Sequence, residues 1–339
     1  MKTIIYDPQQ TNMERLFCDP GVKGDDKNIW HAIQCHFRKI GFELYTPSTY
    51  HGRLEDVSWI IFQNMPSDLE PTSLRRGFKR HIKSFTSNRT FYQKCRRAGL
   101  TNKLAVILYE PEVVAKFNYN KNLHARFSVI FTWNQDLIDL GRPYAEFVYP
   151  QADYSPLKQT IPFENRKLIC NFSANKTSSH PDELYSARIK TIKFLEGKCL
   201  NDFDHYGNKW SNEYKSWRGA IDDKQLVMSG YRFNLCYENA RGFRGYVTEK
   251  IFDAFHAGCV PIYLGAPDIR ERIPSEAFVD RRNFSSDAEL LDFLFQLKKH
   301  PEWQAFIEAG QEFLRSEAYK KYTSAGVFKI LRTGLFGLN

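Results

Sequence analysis

An acidic and a basic side chain stand next to each other at Glu249 and Lys250, a few residues beyond two closely spaced glycines, Gly242 and Gly245. An ammonium group one turn from a glycine loop attracts phosphate, whereas a carboxylate repels phosphate but accepts hydrogen bonds from sugar hydroxyls. The pair therefore suits a ligand that carries both a ribose and a diphosphate. Spacing alone supports a second reading equally well: a capped surface helix on which Glu249 complements the N-terminal dipole and Lys250 reaches solvent.

To place these groups the neighbouring residues must build a strand, a turn and a helix. Phe233, Leu235 and Tyr237 alternate with Asn234 and Cys236, as a short strand requires. Gly242 and Gly245 then permit backbone turns that a side chain would obstruct. Val247, Ile251, Ala254, Phe255 and Gly258 share one face at helical spacing, Ala257-Gly258 reads as the helix stop, and Val260 to Leu264 reads as a buried strand. A helix beginning near Tyr246 is expected, with its unpaired N–H groups and the positive end of its dipole toward the ligand.

The segment FNLCYENARGFRGYVTEKIFDAFHAGCVPIYLG, Phe233 to Gly265, closely resembles the signature of the α-1,3-fucosyltransferase family, glycosyltransferase family 10. The matching parts are an aromatic-Glu-Asn strand end at Tyr237-Glu238-Asn239, a Tyr-Val-Thr-Glu-Lys helix start at Tyr246 to Lys250, and an Ala-Gly-x-Val-Pro turn at Ala257 to Pro261. Weaker similarity runs from about Lys103 to Phe284, more than half the chain. The resemblance implies a B-type glycosyltransferase: an α/β protein of two facing Rossmann-like domains, with the sugar nucleotide bound mainly by the C-terminal one. It further implies an inverting transfer of L-fucose from GDP-β-L-fucose to a hydroxyl, the 3-OH, of an N-acetylglucosamine-containing glycan. A different GDP-linked deoxysugar destined for a surface polysaccharide is the related alternative. A non-catalytic nucleotide- or polyanion-binding protein is the alternative outside enzymes.

The chemistry of such a transfer calls for cations at the leaving diphosphate and a carboxylate for the acceptor proton. Lys250 is the first cation. Arg188 is the second, on the strength of the resemblance of Phe172 to Leu195 to the family's strand-loop-helix, since an Arg grips two phosphate oxygens at once. The resemblance also makes Asn239, Tyr246 and Glu238 contacts to nucleotide or sugar; each could equally stabilise the turn. For the base, Glu110 ends the apolar run Leu104 to Tyr109 and Pro111 stops the strand, so its carboxylate emerges at the C-terminal edge, where ligands of parallel sheets lie. The position resembles the family's Glu-Ser-Pro-like motif but reads Glu110-Pro111-Glu112 here, which leaves Glu112 as an alternative base. Asp202-Phe203-Asp204 matches a metal-binding Asp-x-Asp only superficially. With two cations available, no cofactor is obligatory and a divalent metal is left the part of a stimulant.

Length and composition accommodate this. A chain of 339 residues suits two α/β domains. Alternating strand and helix signals fill the first half: strands at Met1 to Tyr6, Phe42 to Tyr45, Trp59 to Phe62, Leu104 to Tyr109, Phe127 to Thr132 and Glu146 to Tyr149, with a helical stripe from Ile29 to Ile40. The expected division is an acceptor-binding domain at 1–150, a linker at 151–165 punctuated by Pro156 and Pro162, a GDP-sugar-binding domain at 166–324, and a tail at 325–339 that packs back on the first domain. The second domain is expected to hold a strand at Lys167 to Phe172, a helix at about Asp182 to Glu196, a strand near Phe203, and helices at Ala288 to Lys299 and Glu302 to Tyr322. Seven cysteines without a C-x-x-C pair indicate reduced thiols.

The net charge is +9, and the segment from Pro71 to Tyr109 holds ten Lys and Arg without one Asp or Glu. Leu74, Phe78, Ile82 and Phe85 give this segment a helical stripe, so it reads first as solvated scaffold helices. Contact with an anionic membrane or a phosphate-linked acceptor is the competing use. Nucleic acid is not expected, for want of an RNA-binding signature or finger spacing. With no apolar stretch of spanning length and no secretory signal, a bacterial-type enzyme is expected in the cytoplasm, peripheral on the inner membrane's cytoplasmic face.

Overall fold

The structure, a computed structural model, describes residues 1–9, 17, 25–69, 91–152 and 161–337. The apolar stripe from Leu74 to Phe85 and most of the basic segment, together with Pro156 of the expected linker, lie outside the described residues. Along the chain run β1 (Lys2–Asp7), α1 (Asp25–Lys39), β2 (Phe42–Tyr45), β3 (Val57–Gln63), α2 (Phe91–Arg97), β4 (Leu104–Leu108), β5 (Val129–Thr132) and β6 (Tyr144–Glu146). There follow β7 (Lys167–Phe172), α3 (Tyr185–Cys199), β8 (Phe203–Tyr206), β9 (Tyr231–Tyr237), α4 (Glu249–His256), β10 (Val260–Leu264), β11 (Val279–Asp280), α5 (Asp287–Leu297), α6 (Glu302–Arg315) and α7 (Ser324–Phe336).

The chain divides into two compact units, Met1–Asp153 with Lys321–Asn339, and Tyr154–Lys320. Each is built on a wholly parallel sheet. In the first unit the strand order is β2-β1-β3-β4-β5-β6, and in the second it is β11-β10-β9-β7-β8. In both, the order reverses beside the unit's first strand, between β1 and β3 and between β7 and β9. Crevices for ligands open at such reversals, outside the carboxyl ends of the strands. The central strands read as unbroken apolar runs because both faces are covered: every residue of β4 is buried.

In the first unit α7 packs on α1. Phe328 meets Phe37 edge-on at 4.9 Å between ring centroids and stacks on His36 at 5.5 Å, while Phe336 lies 4.8 Å from Phe42. The apolar tail expected from sequence is therefore a helix of the first unit. The strand expected at Glu146 to Tyr149 is displaced: β6 ends at Glu146, the Phe147 amide makes a last bond to the Thr132 carbonyl at 2.8 Å, and Val148 and Tyr149 are buried beyond it. Burial of Val148 and Tyr149 outside the strand produced the same apolar signal. The helix expected from Asp182 starts at Tyr185, because Glu183 bridges to Ala240 and the Leu184 amide donates to the Asn239 carbonyl at 3.1 Å. The helix expected to run to Tyr322 stops at Arg315 with Ser316 extended, and a one-turn helix, Glu317–Lys320, follows.

One face of the second sheet packs on α3 and α5 through Ile192, Leu195, Leu290 and Leu294. Helix α4 is backed by α6, where Phe252 and Phe255 lie 6.3 and 6.2 Å from Phe313. Gly310 permits this approach, since a Cβ there would stand 2.6 Å from Phe255 Cδ1. Gly310→Ala is accordingly expected to destabilise the second unit by about 1–3 kcal/mol through overpacking, measured by denaturant unfolding. An unchanged midpoint would show that α6 does not pin α4.

Candidate active site

The carboxyl end of β9 and the start of α4 are joined by one buried side chain. Glu238, fully buried, follows β9 directly. Its Oε1 accepts from the Thr248 amide at 2.8 Å, and its Oε2 accepts from the Thr248 hydroxyl at 2.7 Å and from Lys250 Nζ at 2.9 Å. The loop between them turns at Gly242 (φ 80°) and Gly245 (φ 88°), conformations that favour glycine, and the Gly245 amide donates to Asp268 Oδ1 at 2.9 Å. Asp268 is held in turn by Arg272 at 2.8 Å.

Helix α4 begins at Glu249 with Thr248 as its extended N-cap, rather than near Tyr246. Val247 fits the helical stripe in sequence, but its amide closes on the Gly245 carbonyl at 2.9 Å, and Tyr246 and Val247 are buried in the lead-in to the cap. The Thr248 side chain makes no capping bond to the helix; its hydroxyl and its amide are both given to Glu238.

Lys250 directs its three protons to Glu238, to Thr248 Oγ1 at 2.8 Å and to Glu249 Oε1 at 3.5 Å. Burial would lower the pKa of this lysine, but Glu238 and then Glu249 outweigh burial and raise it. Burial pushes the Glu249 carboxyl up, yet Lys250 and next Lys224 overcome this and hold it down to about 2. Its side chain keeps 44% of its accessible surface, so solvent screens part of this attraction. Lys224, from the short helix Lys224–Met228, pairs with Asp253 of α4 at 2.6 Å and carries a raised pKa: burial opposes the shift, Asp253 and Glu249 drive it. Sequence reading missed Lys224 and Asp253. Five helical residues carry no usable periodicity, and only folding brings Lys224 alongside α4.

Arg188, on α3 and 2% exposed, turns its guanidinium to the main chain: Nη2 donates to the carbonyls of Tyr237 at 2.7 Å and Glu238 at 2.9 Å. Its Nε is buried without a partner, and burial lowers its pKa. In this geometry Arg188 braces the end of β9, in reach of the fields of Glu238, Tyr246 and Glu249. Asn239 is half-buried, and its carbonyl ties the loop to Leu184. Asp204 is committed to Lys167 at 2.7 Å, Arg218 at 2.6 Å and the Tyr231 hydroxyl at 2.6 Å. No cluster of three His, Cys, Asp or Glu suited to a metal ion occurs among the described residues.

Arg188, Glu238, Asn239, Tyr246, Glu249 and Lys250 thus gather at one edge of the second sheet, beside the strand-order reversal. Glu110 belongs to the first unit, just past the carboxyl end of β4, where it is half-buried and followed by buried Pro111 and half-buried Glu112. Burial raises the pKa of Tyr119 beside these two carboxylates, which raise it further.

Two units along one chain, each built on a parallel sheet whose order reverses beside its first strand, have the fold of B-type glycosyltransferases. The solved structures agree: an α-1,3-fucosyltransferase with GDP aligns at a TM-score of 0.58, with 16% identity, over 98% of this chain and 90% of that one. An α-glucosyltransferase in complex with UDP-glucose and DNA containing an abasic site aligns at 0.59, with 11% identity, over 97% and 98%. At these identities the likeness is one of fold. Residues 164–319 match the model of glycosyltransferase family 10 (fucosyltransferase), C-terminal part. The match covers nearly the whole of the second unit.

The α-(1,3)-fucosyltransferase FucT of Helicobacter pylori is 39% identical over 80 residues, 24% of this chain and 16% of that protein. The α-(1,4)-fucosyltransferase of Arabidopsis thaliana is 30% identical over 147 residues, 41% and 36%. The human 4-galactosyl-N-acetylglucosaminide 3-α-L-fucosyltransferase 9 is 28% identical over 178 residues, 51% and 44%. The chain thus spans less than half the length of these relatives.

Because the folded pKa of Glu249, about 2, lies below its ordinary 4.5, its contribution to stability is complete above about pH 4.5 and disappears as pH falls through about 2. The stability difference between the parent and Glu249→Gln should stay level from pH 7 to about 4.5 and shrink below, as measured by urea unfolding at each pH. A difference that grows on acidification would reverse the assignment of Lys250 and Lys224 as the dominant neighbours.

Proposed function

We propose that this protein transfers L-fucose from GDP-β-L-fucose to the 3-OH of an N-acetylglucosamine-containing glycan, with inversion and in one displacement. The acceptor oxygen forms a bond to the sugar C1 as the C1–O bond to the β-phosphate breaks; GDP leaves with the electron pair, and the acceptor proton passes to Glu110. The observation that carries this reading is the Glu238–Thr248–Lys250 cluster at the start of α4, inside the segment that matches the fucosyltransferase family model.

The cluster suits a diphosphate. Two of the three ammonium protons of Lys250 point at short, buried partners, and the third points at half-exposed Glu249 across 3.5 Å. That weakest bond is the one a phosphate oxygen can replace, leaving the ammonium fixed and charged. Glu249, released and ionised, then accepts from hydroxyls of the donor. Arg188 supplies a second, stationary positive charge at the strand end, and Asn239 and Tyr246 line the loop. Charge aimed in advance at the leaving group is the largest single contribution such a site makes. No resident cofactor is needed for these steps.

The expected place of action is the cytoplasm, with the basic segment against the anionic face of the inner membrane. Lys94, Arg96 and Arg97 are exposed in α2. Arg96 and Arg126 line a cavity of about 360 Å³ whose lining contains no carboxylate. No described helix is long and apolar enough to cross a membrane.

Incubation with GDP-fucose and N-acetyllactosamine, followed by linkage analysis of the product, tests the reaction. Product mass with other GDP-deoxysugars tests the alternative donor. Glu110→Gln should lower kcat by 10²-fold or more with GDP affinity kept, whereas Lys250→Ala should weaken both, each step on the order of 10²-fold. Unchanged turnover in Glu110→Gln removes Glu110 from the role of base. Flotation with phosphatidylglycerol vesicles should retain the protein at about 50 mM salt and release it at about 500 mM, with phosphatidylcholine vesicles inert. Salt-insensitive or absent retention would remove the membrane contact.

A further inference from the structure

Among the described residues, three non-glycine positions adopt left-handed backbone: Gln9 (φ 52°), Asn64 (φ 67°) and Lys209 (φ 67°). Two of the three touch each other, for Gln9 Nε2 donates to the Asn64 carbonyl at 2.6 Å. They follow β1 and β3, the pair of strands between which the order of the first sheet reverses. Such backbone is unfavourable for a residue with a side chain and persists where the surroundings over-determine it, typically at functional sites.

What holds Asn64 there is a closed set of hydrogen bonds that ends on Glu110. The Asn64 amide donates to the Ile107 carbonyl at 2.8 Å. Its Oδ1 accepts from the Glu110 amide at 2.9 Å and from Asn118 Nδ2 at 2.7 Å. Asn118, 1% exposed, reaches the Glu110 carbonyl with the same Nδ2 at 3.2 Å and accepts from the Met65 amide through Oδ1 at 2.9 Å. The Tyr119 hydroxyl also donates to the Glu110 carbonyl, at 3.4 Å. One residue earlier, the Tyr109 carbonyl accepts from Trp133 Nε1 at 2.9 Å and from the Tyr149 hydroxyl. The main chain is therefore gripped on both sides of Glu110. Glu112 lies beyond Pro111, in a turn closed by the amides of Val114 and Ala115 on the Pro111 carbonyl at 2.9 and 2.8 Å.

We infer that Asn64 and Asn118 form a positioning lock for Glu110 at the carboxyl edge of the first sheet, beside the β1/β3 reversal, and that this lock makes Glu110, not Glu112, the group that takes the acceptor proton. The inference rests on the transferase reading above. Its physical content is that a main chain free to shift would carry the Glu110 carboxylate with it, whereas a base that must meet a hydroxyl proton at hydrogen-bond distance loses on the order of 10²-fold in rate for a displacement of about 1 Å. Asparagine and aspartate are the non-glycine residues that bear this backbone with least penalty.

The experiment uses three substitutions at one position, in the full chain. Asn64→Gly accepts the left-handed backbone without strain but lacks the side chain. It should keep the fold and the parent's GDP affinity by calorimetry, and lose roughly 10²-fold in kcat with N-acetyllactosamine and GDP-fucose. Asn64→Asp keeps the acceptor oxygen for the Glu110 amide and Asn118, and should recover most of that loss. Asn64→Ala has neither advantage and should lose stability as well as rate. Asn118→Ala provides an independent second site, with kcat falling further than GDP affinity. A merely structural role predicts the opposite ranking, with Asn64→Gly as active as the parent.

If Asn64→Gly turns over within twofold of the parent while Glu110→Gln is inactive, the lock is overturned and the transferase reading stands. If Glu112→Gln abolishes turnover and Glu110→Gln does not, the lock is likewise overturned. A parent chain that binds no GDP and transfers no sugar overturns both.

Discussion

A carboxylate without any solvent contact sets the terms for the second unit. Glu238 accepts an amide, a hydroxyl and an ammonium proton, and these come from the N-cap and the second residue of α4. Taking an ion out of water costs several kcal/mol, which only such complete hydrogen bonding offsets. In return the end of β9 and the start of α4 cannot move independently, and the Lys250 charge stands at a fixed point without further ordering. Gly265 is part of the same constraint: a Cβ there would lie 2.5 Å from Glu238 Cγ. Glycine at the end of β10 is what lets this carboxylate occupy the space beside the helix cap.

The parts of this arrangement that were legible in the sequence are those whose signals are local. Phe233 to Tyr237, Gly242, Gly245, the stop at Ala257-Gly258 and the strand from Val260 each depend on neighbours within a few residues, and all appear as expected. The helix start was misplaced because Val247 shares the apolar stripe while the loop buries it for another reason. Glu238 was legible as a polar residue at the right place, but not as an internal counter-ion, since its partners lie ten and twelve residues ahead across a turn. Asn64 and Asn118 gave no signal at all: Asn64 meets Glu110 and Asn118 across 46 and 54 residues of chain. Nor does β11, two residues long, offer any alternation to read.

The two units solve the same problem differently. At the edge of the second sheet ionised groups are placed by other ionised groups: Lys250 by Glu238, Lys224 by Asp253, and Glu249 by the two lysines. In the first unit the main chain on both sides of Glu110 is held by amides, a tryptophan N–H and tyrosine hydroxyls. The difference follows from what each edge would have to do. A site for a multiply charged leaving group gains from fixed charges, provided that they are balanced before the ligand arrives. Three cations (Arg188, Lys224, Lys250) stand against three anions (Glu238, Glu249, Asp253), so the empty cluster bears no large net charge to repel itself.

A carboxylate meant to accept a proton is served poorly by the same device. A cation beside it would depress its pKa and weaken it as a base, whereas a second carboxylate would raise its pKa and leave it partly protonated. Neutral hydrogen bonds to the main chain fix the backbone that carries it. The strain at Asn64 belongs to the same logic, since it maintains a neutral clamp at a place where the chain would otherwise relax.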